Sequence, residues 1–344
     1  MQPALLWKKQ DDDIVLCQLC SHFCRIPPGE RGKCGVRVNR EGELYTLVAD
    51  RVAAANVDPI EKKPLYHFYP GTTSFSVGTM GCNLSCSFCQ NYSLSFPPKQ
   101  GRDVEGQKYS PIQIVDAAER SGAHSISYTY SEPTIFFELV LPTAKLAHER
   151  GLKNVLVSNG FMSPQCLDEL GLHIDAANID LKAFSEDFYE VYCGAKLAPV
   201  KNNLKRIAKS PWWLEITTLV IPGANDSRDE LARLARFIAD ELGPEVPWHI
   251  SRFHPTYKLT DRDSTPTETL EMAYDIGKKA GLLYVYVGNV PGHPGNNTYC
   301  PDCNAVAVHR QGFRIVKADL SKCASCGRPV HGVAMNALED RYAG

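Results

Sequence analysis

The sequence predicts an α/β protein, a parallel sheet built from repeated strand–helix units with a small cysteine-rich module at either end. Three observations carry this reading. Short apolar or β-branched runs alternate through the middle of the chain with segments whose apolar residues recur three and four apart. Thirteen cysteines are present, and all but Cys166 and Cys193 fall into three tight groups. The length of 344 residues, 44% hydrophobic and 22% charged, suffices for one large domain with appendages. Lys plus Arg total 37 against 39 Asp plus Glu, so the balance carries no broad footprint for nucleic acid or anionic lipid. Lys8, Lys9 and the run Asp11 to Asp13 interrupt any apolar leader, and no stretch approaches the roughly 18 apolar residues of a membrane span. The expectation is a cytoplasmic protein in which cysteine serves metal or redox chemistry rather than a disulfide framework.

The first element, residues 1–60, carries Cys17, Cys20, Cys24 and Cys34, with Gly29, Gly32 and Gly35 permitting tight turns. Four thiolates in so short a span can enclose zinc or an auxiliary [4Fe-4S] cluster. His22, between two of them, is expected to orient the loop. The core, residues 61–295, reads as strands at Phe75–Gly78, Ser125–Thr129, Asn154–Ser158, Ala176–Leu181, Leu214–Ile221, Trp248–Phe253 and Leu283–Val287. Helices are expected over Pro111–Ser121, Leu139–Arg150, Pro164–Leu170, Val200–Lys209, Arg228–Leu242 and Thr265–Ala280, with Gly151, Gly243 and Gly281 following three of them as C-caps. Such repeats form an open doubly wound sheet or a full or partial barrel. Neither GxGxxG nor GxxxxGK[ST] follows a strand, which removes the dinucleotide and P-loop readings. Cys166 and Cys193 read as ordinary partly buried cysteines.

Gly81-Cys82-Asn83-Leu84-Ser85-Cys86-Ser87-Phe88-Cys89-Gln90-Asn91 directly follows the first core strand, which places three thiolates in a loop at the C-terminal end of a strand. Three cysteines leave one iron of a [4Fe-4S] cluster without a protein ligand. A zinc site completed by a distant histidine such as His67, or clustered free thiols, is the plainer alternative.

This CxxxCxxC pattern, with Phe88 before its last cysteine, resembles the signature of the radical S-adenosylmethionine (radical SAM) superfamily. The resemblance implies a partial (β/α)6-type TIM barrel in which the open iron chelates the amino and carboxylate groups of SAM. Reductive cleavage then gives methionine and a 5′-deoxyadenosyl radical that abstracts hydrogen from a substrate carbon. Tyr130-Ser131-Glu132-Pro133 stands where the superfamily has a GGEP-like segment, so Glu132 is expected at the SAM ammonium, although both glycines are absent. Ser158-Asn159-Gly160 resembles the TNG of glycyl-radical activating enzymes, and Asp180 and Lys182 resemble their DxK pair. His254 follows a strand where those enzymes have a SAM-contacting histidine. Each polar residue also has the plainer reading of a strand-end hydrogen bond.

Asp58 to Phe68, Cys89-Gln90-Asn91, Trp248 to Pro255 and Tyr286 to Val290 are similar to the AmmeMemoRadiSam system radical SAM family, a branch related to pyruvate formate-lyase activating enzymes. That resemblance implies AMMECR-like and Memo-like partners and an electron donor such as ferredoxin or flavodoxin. It leaves the substrate open, as it does whether Asp58 to Phe68 lines an entrance or packs the barrel edge.

The last element, residues 296–344, holds Cys300, Cys303, Cys323 and Cys326 as two CxxC knuckles around a hairpin expected near Ala305–His309 and Phe313–Val316. This is a zinc-ribbon pattern, with an auxiliary iron–sulfur cluster as the alternative. Asp302 and Asp319 offset Arg310, Arg314, Lys317 and Lys322, which argues against nucleic-acid binding. The sequence thus leads to a radical SAM enzyme of unidentified substrate. The alternatives are a glycyl-radical activating enzyme or a non-catalytic metal-binding interaction module.

Overall fold

In the computed structural model, which describes residues 1–318 and 321–336, one eight-stranded sheet organises the chain. Its strands are β1 (Ala54–Pro59), β2 (Thr73–Gly78), β3 (Ser125–Tyr128), β4 (Lys153–Ser158), β5 (Ala176–Asp180), β6 (Trp213–Val220), β7 (Trp248–Arg252) and β8 (Val285–Gly288). They lie side by side in chain order. Strands β2 to β8 are parallel and β1 closes the edge antiparallel to β2, with Ala54 opposite Gly78 and Pro59 opposite Thr73. A helix fills each of the six crossovers: α1 (Pro111–Arg120), α2 (Phe137–Glu149), α3 (Pro164–Leu170), α4 (Leu197–Ile207), α5 (Arg228–Phe237) and α6 (Thr267–Lys279). The ends of successive strands converge on one cavity, around which the parallel sheet curves like an open barrel.

Local chemistry explains the helix boundaries. Ser110 accepts from the Gln113 N–H in a capping box, while Ser163 and Ser227 cap α3 and α5 through the Cys166 and Glu230 amides. Gly151 and Gly281 take left-handed φ values of 76° and 96° just past α2 and α6, as the C-cap reading requires. The outward faces of the strands bury aliphatic residues against the helices, for instance Ile126 and Ile216 against a cluster that includes Val115, Ala118 and Leu234.

Three expectations are corrected. The sheet begins at residue 54 rather than after 60, because β1 hydrogen-bonds to β2 along its whole length. The helix expected over Arg228–Leu242 ends as α at Phe237 and continues as one wide turn over Ile238–Leu242, closed by the Gly243 N–H on the Ile238 carbonyl. Cys166 and Cys193 are completely buried rather than partly so.

Two small antiparallel sheets make up the N-terminal module, and the C-terminal one is built on a hairpin of Val306–Gln311 and Arg314–Ala318. Asp319, counted above among the charges of that module, lies outside the described residues. The segment from Asp58 to Phe68 packs under the barrel. The Tyr66 and His67 amides donate to the Glu215 carboxylate, which also accepts from Trp213 Nε1 and from His249 Nε2 at 2.6 Å. His67 is enclosed in this floor by the His331 carbonyl at 2.6 Å and Tyr286 Oη at 2.5 Å. It therefore sits at the wrong end of the barrel to join the cysteines of the central loop.

Candidate active site

The loop after β2 is shaped before it reaches its thiols. Gly81 has φ 96°, and a Cβ there would lie 2.6 Å from Val36 Cγ1 and 3.0 Å from the Cys34 carbonyl oxygen, so only glycine lets the chain turn against the N-terminal module. Beyond it, the Ser85 and Ser87 amides donate to the Cys193 and Tyr192 carbonyls at 2.8 and 2.9 Å, and the Ser87 carbonyl accepts from the Lys258 amide. Lys99 Nζ bonds the Leu84 carbonyl and Ser85 Oγ. These bonds fix a loop without regular structure and turn Cys82, Cys86 and Cys89 toward one cavity of about 250 Å³.

The cavity lies at the C-terminal ends of the strands, where α/β sheets place their sites. Glu132, Ser158, Asn159, Asp180 and Lys182, each expected there, all line it. Glu132 is almost wholly buried and organises the wall. Its Oε1 accepts from Thr134 N, Thr134 Oγ1 and Ser158 Oγ, and its Oε2 accepts from the Asn159 amide at 2.8 Å. Burial raises its pKa and these bonds oppose the rise. Asn159 in turn donates to Asn83 Oδ1 at 2.7 Å, tying the end of β4 to the residue beside Cys82. Lys182 Nζ pairs with Asp180 Oδ2 at 2.8 Å. Burial works against its charge, but the Asp180 carboxylate outweighs burial and raises its pKa.

His254 is placed differently. It is exposed, its ring bonds Ser264 Oγ at 2.9 Å, and it stands outside the cavity. The strand ends at Arg252, and the Phe253 N–H turns back to Thr265 Oγ1, so the side chain after it faces solvent. The walls nearest that strand are supplied instead by Ser251 and Asn289, with Thr217 and Leu219 from β6. The two-residue period of each strand carried this signal: Ser251 shares a face with His249, and Thr217 shares one with Glu215.

Tyr130 was also missed. It occupies a position where the resembling family has glycine, and it takes φ 67°, a conformation costly for an aromatic residue. Its ring passes over Gly78, where a Cβ would meet Tyr130 Cβ at 3.0 Å. Its hydroxyl donates to Asp58 Oδ2 at 2.8 Å and accepts from Asn56 Nδ2 at 3.1 Å, while the Lys63 ammonium lies 5.2 Å from the ring centre and 2.7 Å from Asp58. The block from Asp58 to Phe68 thus packs the barrel and touches the cavity through Tyr130.

The donor set fits an iron–sulfur cluster with one open position. Three soft thiols face the cavity, whereas Cys193 lies behind Cys86 and lines no part of it. Burial pushes the thiols of Cys82 and Cys89 up, and contact with Cys193 together with burial does the same for Cys86, so metal uptake must displace protons. Two polar groups, Ser131 Oγ and Asn83 Nδ2, are buried beside the cavity without a protein partner, as a site shaped around an additional polar group requires.

A second donor set lies at the far end of the chain. Cys300, Cys303, Cys323 and Cys326 bring their sulfurs within 4.8 Å of one another, with Cys300 and Cys326 at 3.5 Å and Cys303 and Cys323 at 3.6 Å. Each knuckle closes on itself: the Asn304 N–H donates to the Cys300 carbonyl, and the Gly327 N–H to the Cys323 carbonyl. The four thiols lie close enough together to hold one metal ion. Among the described residues no helix is long and apolar enough to cross a membrane.

Comparison with known proteins agrees with this geometry. A family model described as the radical SAM superfamily matches residues 76–235. An uncharacterized protein of Methanocaldococcus jannaschii is 44% identical over 335 residues, covering 96% of this chain and 99% of its own. The pyruvate formate-lyase-activating enzyme of Clostridium pasteurianum is 22% identical over 200 residues, 55% of this chain and 83% of its own. Among solved structures, Streptococcus suis SuiB superimposes with a TM-score of 0.50 at 15% identity, over 67% of this chain and 52% of that one, a likeness of fold.

Proposed function

Because the chain belongs to the radical SAM superfamily, we propose that Cys82, Cys86 and Cys89 hold its catalytic [4Fe-4S] cluster at the barrel mouth. SAM then lies along the ends of β3 to β5, and the substrate lodges against Tyr130, Thr217, Ser251 and Asn289. When bound, cluster and SAM together supply one-electron cleavage of the sulfonium and abstraction of hydrogen from a substrate carbon. The observation that carries the reading is the convergence of three loop thiols and the ends of β3 to β7 on one cavity.

The chain's own residues supply orientation. Lys182, kept cationic by Asp180, is matched to a carboxylate. Glu132 Oε2 accepts one hydrogen bond within the protein, which leaves it capacity for an ammonium. Ser158 and Asn159 fix the register of that wall through Glu132 and Asn83. Substrate hydrogen atoms are met by neutral hydroxyl and amide groups rather than by a second titratable pair, which suits a step that moves no proton. For the C-terminal thiols we propose a structural zinc ion. The edge of a tetrahedron with Zn–S of about 2.3 Å is about 3.8 Å, close to the spacing observed.

AMMECR-like and Memo-like partners, with a ferredoxin or flavodoxin as electron donor, are proposed on the resemblance of Asp58 to Phe68 and Trp248 to Pro255. Glycyl-radical activation is a second reading, favoured by similarity to relatives named as activating enzymes. The test is anaerobic reconstitution with SAM and reductant, with candidate partner proteins added and all products read by mass spectrometry. The parent protein is expected to form 5′-deoxyadenosine, and a variant with Cys82, Cys86 and Cys89 replaced by Ala is expected to form none. Undiminished 5′-deoxyadenosine from the triple variant would sink the assignment of these thiols. A backbone cleavage or glycyl signal in an added protein would favour the second reading.

A further inference from the structure

We infer that Cys17, Cys20, Cys24 and Cys34 hold a second four-iron cluster, packed directly against the catalytic cysteine loop, rather than a zinc ion. The site stands on its own geometry and does not depend on the function proposed above.

The four cysteines are drawn into one small module. The Cys17 amide donates to the Cys24 carbonyl at 2.9 Å and the Phe23 amide to the Cys20 carbonyl at 3.1 Å, so the first three cysteines share one tight turn. Cys24 Sγ reaches to 3.8 Å from where a Cβ of Gly32 would stand, which brings the turn against the segment that carries Cys34. Cys17, Cys20 and Cys34 are buried and Cys24 is half-buried, and the charge on Cys20 would be felt by all three others. Cysteines gathered in one module are not thereby a zinc site. Tetrahedral zinc draws its sulfurs to about 3.8 Å from one another, whereas a cluster with an iron at each corner and sulfide between them holds its cysteines farther apart. Among the described residues only the C-terminal four come within 4.8 Å of one another. No three sulfurs of the N-terminal four meet that limit, and neither do those of Cys82, Cys86 and Cys89.

A buried cation supplies the second observation. Arg37 is 1% exposed, and its guanidinium donates to Cys17 Sγ at 3.3 Å and pairs with Glu138. Its Nε is buried without a protein partner. The enclosed guanidinium touches the Cys17 thiol and lies near that of Cys34, a placement that favours these sulfurs as metal-bound thiolates. A hydrogen bond to a ligand sulfur is also a means by which a protein adjusts the potential of a cluster.

Placement gives the group its relation to the active site. Cys20 bridges to Met162, and the Ser21 amide donates to the Phe161 carbonyl at 3.0 Å, so the turn lies along the chain just past Asn159. His22 Nε2 bonds the Asn83 carbonyl at 2.8 Å, and Asn83 adjoins Cys82. From Cys34 the carbonyl oxygen crowds Gly81, the residue before Cys82. Both groups of thiols therefore brace the same short segment of chain.

The test is metal and sulfide analysis with electron paramagnetic resonance on anaerobically prepared full-length protein. The parent is expected to hold about eight iron and eight sulfide per chain beside one zinc. The variant lacking Cys82, Cys86 and Cys89 is expected to keep about four of each, and on dithionite reduction to show a cluster signal that SAM does not shift. Cys24→Ser, at the half-buried position, should lose that signal and keep the one that SAM does shift. Four iron with two zinc in the parent, or a triple variant with zinc and no sulfide, overturns the inference. Should the triple variant fail to fold, the reduced parent decides. Two signals, of which SAM moves one, support the second cluster, and a single signal excludes it.

Discussion

Glu132 accepts four hydrogen bonds within the protein, and that crowding sets what its replacement does. Glutamine keeps the shape but must turn an N–H2 toward either the Asn159 amide or the Thr134 and Ser158 donors. It also loses the charge offered to an ammonium, a bond worth roughly 1.5 to 3 kcal/mol. Glu132→Gln is therefore expected to weaken SAM binding by about 10- to 100-fold at normal iron content; equal affinity in variant and parent would confine the residue to wall architecture. Beneath the cavity, Glu61 and His67 impose opposite pH slopes. Burial raises Glu61 to about 7, with Oε1 on the Gly71 amide and Oε2 unpartnered, so the stability its neutral form contributes is lost as pH rises from about 4.5 through 7. His67 is lowered to about 4, chiefly by burial, with Arg310 and His249 adding to the fall and Glu215 and the His331 carbonyl opposing it, so it costs stability as pH falls from about 6.5 toward 4. Between those limits the two offset each other, and a substitution is needed to separate them. Glu61→Gln keeps the acceptor for Gly71 and removes the charge. Its urea stability should exceed the parent's by about 3 kcal/mol at pH 8 and match it near pH 4.5, whereas an equal gain at both would mark a packing effect.

Among the elements, the junction between the N-terminal module and the cysteine loop tolerates least change. At Gly81 a methyl group meets Val36 and the Cys34 carbonyl while the backbone holds φ 96°, so Gly81→Ala must part the two or twist the loop. The expected result is a loss of more than about 1 kcal/mol in stability together with reduced iron occupancy; full iron with unchanged stability would show that the contact is soft. What sequence reveals about such elements follows from where their determinants lie. The seven parallel strands and six helices were legible because each is a local period, apolar runs for the doubly buried strands and three-four spacing for the helices. Strand β1 was not, since Asn56 and Asp58 turn polar groups toward Tyr130 at the sheet edge and give the run no apolar signature. Glu132, Ser158, Asn159, Asp180 and Lys182 were legible as strand-end motifs, and the structure brings all five to one cavity. Tyr130 was not, because its left-handed backbone is set by hydroxyl contacts to Asn56 and Asp58, more than seventy residues distant in sequence. His254 misled because a motif position says nothing of the turn that Phe253 makes onto Thr265.

For the molecule as a whole, the C-terminal module is anchored at the end of the barrel opposite the cysteine loop. Arg310 donates to Thr298 Oγ1 at 2.8 Å and to the Tyr66 carbonyl at 3.1 Å, and its guanidinium stacks 4.1 Å from the Tyr66 ring centre. The Val333 amide donates to the His67 carbonyl and the Tyr69 amide to the Val333 carbonyl. Among the described residues the module's own apolar cluster is Ala307, Val308, Val330 and Met335 with Ile315 and Ala318 against it, too little to hold a fold without metal. Metal binding and folding of this module should therefore be one event, while the floor beneath it has a separate source of order in Glu215, buried among four donors. Cys323→Ser is expected to lose about one equivalent of zinc and to speed amide exchange across residues 298–336. The Tyr66 and His67 amides, bonded to Glu215, should stay protected, and SAM cleavage at the far end of the barrel should persist. Loss of protection at those two amides would instead make the module a structural part of the barrel floor. Iron and labile sulfide in place of zinc would convert it into a third cluster site, and sulfurs only 3.5 and 3.6 Å apart argue against that outcome.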